Sequence, residues 1–292
     1  MRVATHNTLS VMNDLSDKKW LCIKLPATEY REAWSLQSDL VAARKDKSID
    51  TDIVLLLEHP PVFTIGNNGG MNNLTVSKKS LEKAGIPLIR VERGGDITFH
   101  GLGQLVMYPI IDLHAARLSV PDHIEKLEEV MIRAAQDWGI RAERNPANRG
   151  IWVGKNKLGS VGIAIRRGIS FHGMALNVNL SLEPFGWINP CGLQEITMTS
   201  MEQELSHRVA MNQVHEAVKR HLEAVFGVGL VMTSLSELQC LQYNSHRHTR
   251  THTDFSPTDV TGENSHRPEK KCLCQSVCVC LPCSSGRWYR GG

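Results

Sequence analysis

The sequence contains one cysteine in a position where a thiol could act as a nucleophile. Cys191 lies between a proline and a glycine at a predicted turn, outside any apolar periodicity. A thiol becomes reactive when a nearby cation lowers its pKa, and Lys157, His172 and His100 are the candidate cations. A lone cysteine can also be a small buried hydrophobic residue, and cysteine with histidine also allows a protease-like or a zinc site. Zinc prefers closer pairs such as Cys-x-x-Cys, which residues 1–243 lack.

A glycine-rich segment at residues 93–104 is the second candidate site. Its four glycines let the backbone approach a ligand closely and leave N–H groups to face a carbonyl or an anion. The segment is not a phosphate loop, because no Gly-Lys-Ser/Thr follows it, and it lacks the third glycine of a dinucleotide fingerprint. The alternative interpretation is a glycine-rich hairpin with a buried histidine.

Two further segments bring a lysine and a histidine next to glycines. Residues 155–162 read Lys-Asn-Lys-Leu-Gly-Ser-Val-Gly, and a lysine that enters such a strand is commonly a solvated edge residue. A functional Lys157 requires a nearby acidic group whose ionisation its ammonium favours. Residues 172–178 read His-Gly-Met-Ala-Leu-Asn-Val and lead to the Asn-Pro-Cys-Gly turn that contains Cys191.

The elements that must position these segments are strands mixed with helices. Apolar runs predict strands at residues 20–25, 53–57, 88–91, 105–111, 150–154, 158–165 and 169–178. Apolar residues at helical spacing predict helices at residues 28–47, 121–138 and 212–226. Strands outnumber helices and hairpin-length connections join most of them, so an α+β fold fits better than alternating α/β units.

Charge and hydropathy argue against two classes of partner. The 292 residues carry a net charge of +3 with neutral histidines. Residues 244–292 hold seven Lys/Arg and four Asp/Glu, so the rest of the chain is neutral. A neutral body argues against a nucleic-acid partner and against attachment to a membrane by basic charge. No run approaches the ~18 apolar residues of a spanning helix.

The same composition predicts three regions. Residues 1–19 form an N-terminal extension without the apolar core of a signal peptide. Residues 20–243 are predicted to form the main domain, which holds the candidate catalytic residues, and their three scattered cysteines do not form a disulfide framework. A reducing compartment is therefore expected, either cytoplasm or the matrix of a mitochondrion or plastid. Residues 244–292 are predicted to be disordered, and their five cysteines allow zinc binding or a metal-scavenging, oxidation-prone end.

Four motifs in chain order resemble those of the lipoyl(octanoyl) transferases. They are Arg-Gly-Gly-x-x-Thr-x-His-Gly-x-Gly-Gln at 93–104, Lys-Leu-Gly-Ser-Val-Gly-Ile at 157–163, His-Gly-Met-Ala-Leu-Asn-Val at 172–178 and Asn-Pro-Cys-Gly at 189–192. The His-Pro-Pro-Val-Phe-Thr-Ile-Gly segment at 59–66 is similar to that family as well. The resemblance covers roughly residues 20–235 and is strongest to the plant-type members.

The resemblance implies a fold and a reaction. The fold would be similar to that of biotin and lipoate protein ligases, with a mixed sheet flanked by helices. The reaction would be transfer of an octanoyl or lipoyl group from acyl carrier protein to a specific lysine. The acceptors would be the lipoyl domains of 2-oxo acid dehydrogenase complexes and the glycine cleavage carrier protein. Because a thioester gives an amide in a downhill exchange, neither ATP, a metal nor another cofactor is implied.

The resemblance also assigns residues by motif. Cys191 would hold the acyl group as a thioester, and Lys157 would lower the pKa of its thiol. The acyl-binding residues would be Arg93, Gly94, Gly95, Asp96, Ile97, Thr98, Phe99, His100, Ser160, Val161, Gly162, Gly173, Met174 and Ala175, with His172 adjoining them. One departure is Leu102, where the family usually has proline. Because proline restricts the unfolded loop, its absence predicts a looser acyl pocket.

Two alternative functions remain open at this point. A lipoate protein ligase of similar fold activates its acid with ATP and does not need Cys191. A non-catalytic acyl-binding homologue would bind octanoate without turnover. Both differ from a transferase in what happens to Cys191 on exposure to an acyl donor.

Overall fold

The computed structural model describes residues 18–146, 148–189 and 197–238, and all of them belong to one compact unit. The predicted tail at 244–292, and all but the last two residues of the predicted extension at 1–19, lie outside the described residues. None of the helices in the described ranges is both long and apolar enough to cross a bilayer.

Twelve strands and five α-helices lie wholly within the described ranges. The strands are β1 (Lys19–Lys24), β2 (Ile53–Leu57), β3 (Val62–Ile65), β4 (Leu88–Arg90), β5 (Ile97–His100), β6 (Gln104–Asp112), β7 (Glu143–Arg144), β8 (Gly150–Val153), β9 (Asn156–Arg166), β10 (Ile169–Asn177), β11 (Thr197–Met198) and β12 (Gly229–Met232). The helices are α1 (Tyr30–Lys45), α2 (Lys78–Ala84), α3 (Val120–Gln136), α4 (Met201–Leu205) and α5 (Met211–Phe226).

These strands form one large mixed sheet and one small sheet. The large sheet has the order β12-β1-β2-β6-β10-β9-β8-β7, and β11 pairs with β9. Its β12-β1-β2 part is parallel and its β2-to-β7 part is antiparallel. The small sheet has the order β4-β3-β5. The predicted α+β class, with a mixed sheet flanked by helices, is confirmed.

Helices cover both faces of the large sheet because its central strands are apolar on both faces. Along β6, Met107 and Ile111 pack in the cluster that contains the buried face of α3 and α5. Val106 and Ile110 alternate with them and pack in the cluster that contains α1. Such two-sided burial makes central strands read as continuous apolar runs rather than as alternating ones.

Helix α3 begins where the sequence provides a strong start signal. The hydroxyl of Ser119 accepts a hydrogen bond from the backbone N–H of Asp122, whose carboxylate accepts one from the backbone N–H of Ser119. This reciprocal pair satisfies N–H groups that have no partner inside the helix. The buried face of α3 then carries Leu127, Met131 and Ala134 at helical spacing.

The predicted elements occur, with small shifts at their ends, but seven shorter elements were not predicted: strands β3, β5, β7, β11 and β12 and helices α2 and α4. The predicted helix at 28–47 begins at Tyr30 and ends at Lys45. Strand β3 lies in the segment 59–66, where no strand was predicted, and β5 lies inside the glycine-rich segment. These two strands belong to the small sheet. The two strands pair with each other, with Phe63 opposite Phe99. Each is four residues long, which is too short for a clear period, so their pairing rather than their local sequence determines them.

Candidate active site

A cavity of about 810 Å³ lies between the glycine-rich segment and strands β9 and β10. Lys157 and every residue predicted to bind the acyl group except Phe99 line it. Phe99 instead packs against Phe63 and Phe185, with ring centroids 5.1 and 5.7 Å away. Along β5, Thr98 and His100 point to the opposite face from Phe99, and Ile97 borders the cavity at the start of the strand.

Lys157 is buried in the cavity wall. Its side chain is only 2% exposed, so the alternative of a solvated edge lysine is wrong. The ammonium Nζ donates a hydrogen bond to Oδ1 of Asn148 and lies 5.3 Å from the centroid of the Trp152 ring. Strand β11 pairs with β9 so that Met198 is opposite Lys157, and Met198 also lines the cavity.

Cys191 lies outside the described residues, in the segment 190–196. The described chain stops at Asn189, whose backbone N–H donates to the carbonyl of Asn73 over 2.8 Å. It resumes at Thr197, one residue before Met198 on the cavity wall. The role of Cys191 therefore stays a prediction.

The buried guanidinium of Arg93 shapes the glycine-rich segment. Its Nη2 donates to the carbonyl and hydroxyl oxygens of Thr64 over 2.9 and 2.8 Å and to the carbonyl of Asp96 over 2.8 Å. The backbone N–H of Gly94 donates to the carbonyl of Ile163 over 2.8 Å and so joins the segment to β9. Because this N–H is engaged, Gly94 is not a donor for a reacting oxyanion.

Glycine at position 162 lets β9 approach the glycine-rich segment. A Cβ atom there would lie 3.0 Å from the carbonyl oxygen of Gly94 and 3.3 Å from Cδ of Arg93. Both contacts are tighter than ordinary van der Waals contacts, so any side chain at this position would press on the segment. Close packing at this wall of the cavity therefore explains the glycine at position 162 of the motif.

Three histidines and two tyrosines form a buried histidine–tyrosine cluster, of which four side chains line the cavity. Its members are Tyr30, His59, His100, Tyr108 and His172. Because the carbonyl of Thr28 accepts from Nδ1 of His59 over 2.7 Å, Nε2 of neutral His59 accepts from the hydroxyl of Tyr108 over 2.8 Å. The chain brings these rings together from α1, β5, β6, β10 and the segment after β2.

Burial keeps this cluster uncharged near neutral pH. Desolvation lowers the pKa of His59 to about 4 and that of His172 to about 3, and it lowers the pKa of His100 well below its usual value. Desolvation also raises the pKa of Tyr30 to about 12. His100 and His172 are therefore not cations near pH 7. Of the three candidate cations that could lower the pKa of the Cys191 thiol, burial therefore removes two and leaves Lys157.

His172 has an unusual backbone conformation within β10. Its φ is +54°, a left-handed value that few residues other than glycine adopt. Its backbone N–H donates to Oε1 of Gln37 on α1 over 2.7 Å, and its ring stacks on Phe171 with centroids 4.9 Å apart. Such strain concentrates at functional sites.

Tyr30 and Tyr108 were not predicted from the sequence to be parts of the site. Both lie in elements whose periodicity predicts core positions, so no local signal marks them. His59 carried a stronger signal, because it begins the His-Pro-Pro-Val-Phe-Thr-Ile-Gly segment two residues after the buried run of β2. Within the described residues, no three His, Cys, Asp or Glu side chains are placed to hold a metal ion.

Comparisons with known proteins extend these observations. The family model of the lipoyl protein ligase A/B catalytic domain matches residues 29–223. The octanoyltransferase of Desulfotalea psychrophila is 44% identical over 219 residues, which cover 74% of this chain and 98% of that protein. The octanoyltransferase of Syntrophobacter fumaroxidans is 41% identical over 224 residues, with 77% and 98% covered. These relatives are bacterial, so the plant-type assignment stays a prediction.

Solved structures of low sequence identity show the same fold. A lipoate-protein ligase A bound with ATP aligns with a TM-score of 0.61 and 18% identity, over 79% of this chain and 93% of that chain. A bipartite lipoate protein ligase from Thermoplasma acidophilum, described with its E2 lipoyl domain, aligns with a TM-score of 0.59 and 17% identity, over 79% and 91%. The fold, the ordered motifs and the extent of the match establish that the chain belongs to the family of the lipoyl protein ligase A/B catalytic domain, among the octanoyltransferases.

Proposed function

We propose that this protein transfers an octanoyl or lipoyl group to a lysine of an acceptor protein through a thioester on Cys191. The observation that carries the proposal is the buried ammonium of Lys157 in the wall of a cavity lined by the acyl-binding motifs. Cys191 follows Asn189 by two residues and precedes Met198, the residue opposite Lys157, by seven. Both ends of this segment support a position of the thiol near the cavity.

The Lys157 ammonium would raise the fraction of the Cys191 thiol that is ionised. Near pH 7 only a few per cent of an ordinary cysteine is thiolate, and a nearby cation in a partly dry cleft raises that fraction. The Cys191 thiolate attacks the carbonyl carbon of the donor thioester, a new C–S bond forms and the C–S bond to the donor breaks. The donor sulfur takes a proton from the Lys157 ammonium and leaves as a thiol, which makes Lys157 neutral. The acceptor lysine amine then attacks, an amide forms, and the Cys191 sulfur leaves. Neutral Lys157 takes the proton from the incoming amine.

The cavity provides apolar contacts for a medium-length chain. Val106, Val161, Ile163 and Met174 contribute to its walls, and the histidine–tyrosine cluster is neutral. Burial of each methylene contributes about 0.8 kcal/mol, so the six extra carbons of octanoyl over acetyl favour it by orders of magnitude. Selection of chain length thus belongs to these walls.

The proposed donor is octanoyl acyl carrier protein, and the proposed acceptors are lipoyl domains of 2-oxo acid dehydrogenase complexes and the glycine cleavage carrier protein. The names of the bacterial relatives support the acyl group. The bipartite ligase of the same fold, described with its E2 lipoyl domain, supports the class of acceptor.

Mass spectrometry of the full chain after incubation with octanoyl acyl carrier protein tests the proposal. We expect one octanoyl adduct that maps to Cys191 and disappears in Cys191→Ser. Cys22→Ala is the matched control, because Cys22 is buried in the core and desolvation raises its pKa to about 11. An adduct that persists in Cys191→Ser contradicts the proposal. ATP-dependent lipoylation by Cys191→Ser would indicate a ligase, and bound octanoate without any adduct would indicate an acyl-binding homologue.

A further inference from the structure

Asn148 touches the one cationic group that the proposed mechanism needs. Its Oδ1 accepts a hydrogen bond from Nζ of Lys157, and both side chains line the cavity. Nothing in the sequence motifs marks Asn148, which lies outside all four. Its carbonyl oxygen also accepts a hydrogen bond from the indole N–H of Trp152 over 3.2 Å. Side chain and backbone of Asn148 are thus both tied to the surroundings of Lys157.

The segment that carries Asn148 is anchored to α3. Buried Glu128 accepts a hydrogen bond from the backbone N–H of Gly150 over 2.8 Å. Gly150 has a φ of +122°, and a Cβ there would lie 2.2 Å from the carbonyl oxygen of Gly159 and 3.0 Å from Cε of Lys157. Only glycine therefore lets this segment lie directly against the lysine side chain, and the anchor fixes where the Asn148 oxygen is.

Two partners of Lys157 in this wall, Asn148 and Trp152, favour its charged form. An amide oxygen that accepts from an ammonium makes a charge-assisted hydrogen bond, and an indole ring attracts a cation through its π face. Both partners are neutral, so they oppose the effect of burial on the ammonium without placing a negative charge beside it.

We propose that Asn148 is a positioning residue, which holds the Lys157 ammonium charged and oriented toward the reacting thiol while adding no charge of its own. This inference rests on the proposed function. An aspartate at this position would also accept the hydrogen bond, but its carboxylate would attract the ammonium and repel a thiolate. The choice of asparagine over aspartate therefore affects the ionisation of the thiol.

The test is the rate of alkylation of Cys191 by iodoacetamide against pH, read from its own peptide by mass spectrometry. For Asn148→Asp, which is almost the same shape, we expect the apparent pKa of the thiol to rise by about one unit. Alkylation below that pKa would then slow about tenfold. Asn148→Ala removes the oxygen that accepts the hydrogen bond from Lys157, and we expect the apparent pKa of the thiol to rise in this variant as well. Asn156→Asp is the matched control, since residue 156 precedes Lys157 in β9 and points to the opposite face.

The remaining charged groups near this wall are the same in every variant. Among the described residues, Glu92, Arg93, Asp96 and Arg149 line the cavity. Glu128 of α3 and Arg144 of β7 lie beside Arg149, with the Arg144 Nε and Arg149 Nη1 atoms 3.5 and 3.8 Å from Oε2 of Glu128. A purely structural role would lower the melting temperature of the Asn148 variants without moving the thiol pKa.

Two outcomes separate this inference from the proposed function. If Asn148→Asp and the unaltered protein share one alkylation profile with a low thiol pKa, the positioning role is wrong and the proposed function stands. If Cys191 of the unaltered protein titrates like an ordinary thiol, near pH 8.5, the activated nucleophile itself is wrong.

Discussion

Lys157 is the residue on which the proposed chemistry depends most. Methionine has a similar volume and no charge, so Lys157→Met should keep the packing of β9 while removing the ammonium. We expect the thiol pKa to rise toward its ordinary value of about 8.5, and acylation at pH 7 to slow by on the order of tenfold. The measurement is the rate of octanoyl adduct formation, with exposed Lys155→Met as the control. Equal rates for the two variants would contradict the role of Lys157.

Gly162 allows a second prediction, about the cavity wall. In Gly162→Ala the new methyl would press on Gly94 and Arg93, and such overpacking costs about 1–3 kcal/mol of stability. If about 1.4 kcal/mol of this cost falls on acyl binding, the KM for the octanoyl donor rises about tenfold. Gly186→Ala is the control, because nothing lies within 4 Å of a Cβ there. A KM equal to that of the control would show that the glycine-rich segment does not contact the acyl chain.

At the scale of elements, the turn between β5 and β6 explains how the chain accommodates leucine where the family usually has proline. The N–H of Gln104 donates to the carbonyl of Gly101 over 3.1 Å, and Gly103 has a φ of +88°. This is the geometry of a type II turn with Leu102 at its second position, where proline is favoured. Glu58 holds the turn by accepting from the N–H of Gly103 over 2.7 Å.

Leu102→Pro should therefore stabilise the protein. The Leu102 side chain is 56% exposed, so little packing is lost, and proline restricts the unfolded chain. We expect a gain of about 0.4–1 kcal/mol in the free energy of unfolding, measured with urea. Because the folded turn keeps its shape, the rate of acylation should stay the same. Destabilisation would mean that the turn differs from type II, and faster acylation would support the expectation that leucine leaves the pocket looser.

The sequence predicted the long elements well and the site only in part. Helices α3 and α5 have clear apolar periodicity, and α3 has a capping signal, so their ends are within two residues of the predicted ones. The four motifs located about half of the cavity lining, which is 16 of its 29 residues. Tyr30 and Tyr108 were missed because their importance arises only when α1 and β6 meet. Asn148 was missed because a contact with Lys157 across a turn leaves no periodic pattern.

At the scale of the whole molecule, burial of histidine connects stability to pH. Desolvation lowers the pKa of five described histidines, which are His59, His100, His123, His172 and His215. In the unfolded chain each has a pKa near 6.5. The stability that comes from keeping them neutral is complete above about pH 6.5 and is lost as pH falls, because unfolding then takes up protons.

The size of this effect predicts acid sensitivity. Each proton taken up contributes about 1.4 kcal/mol per pH unit, so five contribute up to about 7 kcal/mol per unit once the unfolded histidines are charged. Against a typical total stability of about 5–15 kcal/mol, the protein should unfold between about pH 6 and pH 4. Urea denaturation at pH 7.5, 6.5 and 5.5 measures the slope, and stability that is constant across this range would contradict the prediction.

A variant of His215 measures how much one of these five histidines contributes to the dependence of stability on pH. This histidine is buried on α5, its two ring nitrogens have no hydrogen-bond partner within the described residues, and burial lowers its pKa to about 4. In His215→Leu the slope of stability against pH should fall by about 1.4 kcal/mol per unit below pH 5.5. Stability at pH 7.5 should stay the same or rise, because leucine buries no polar atom without a partner. Exposed His114→Gln should keep the parent slope. His215 is buried on α5 and does not line the cavity, so the same variant should acylate at the parent rate at pH 7.5. An unchanged rate would separate the acid sensitivity of the fold from the chemistry of the site.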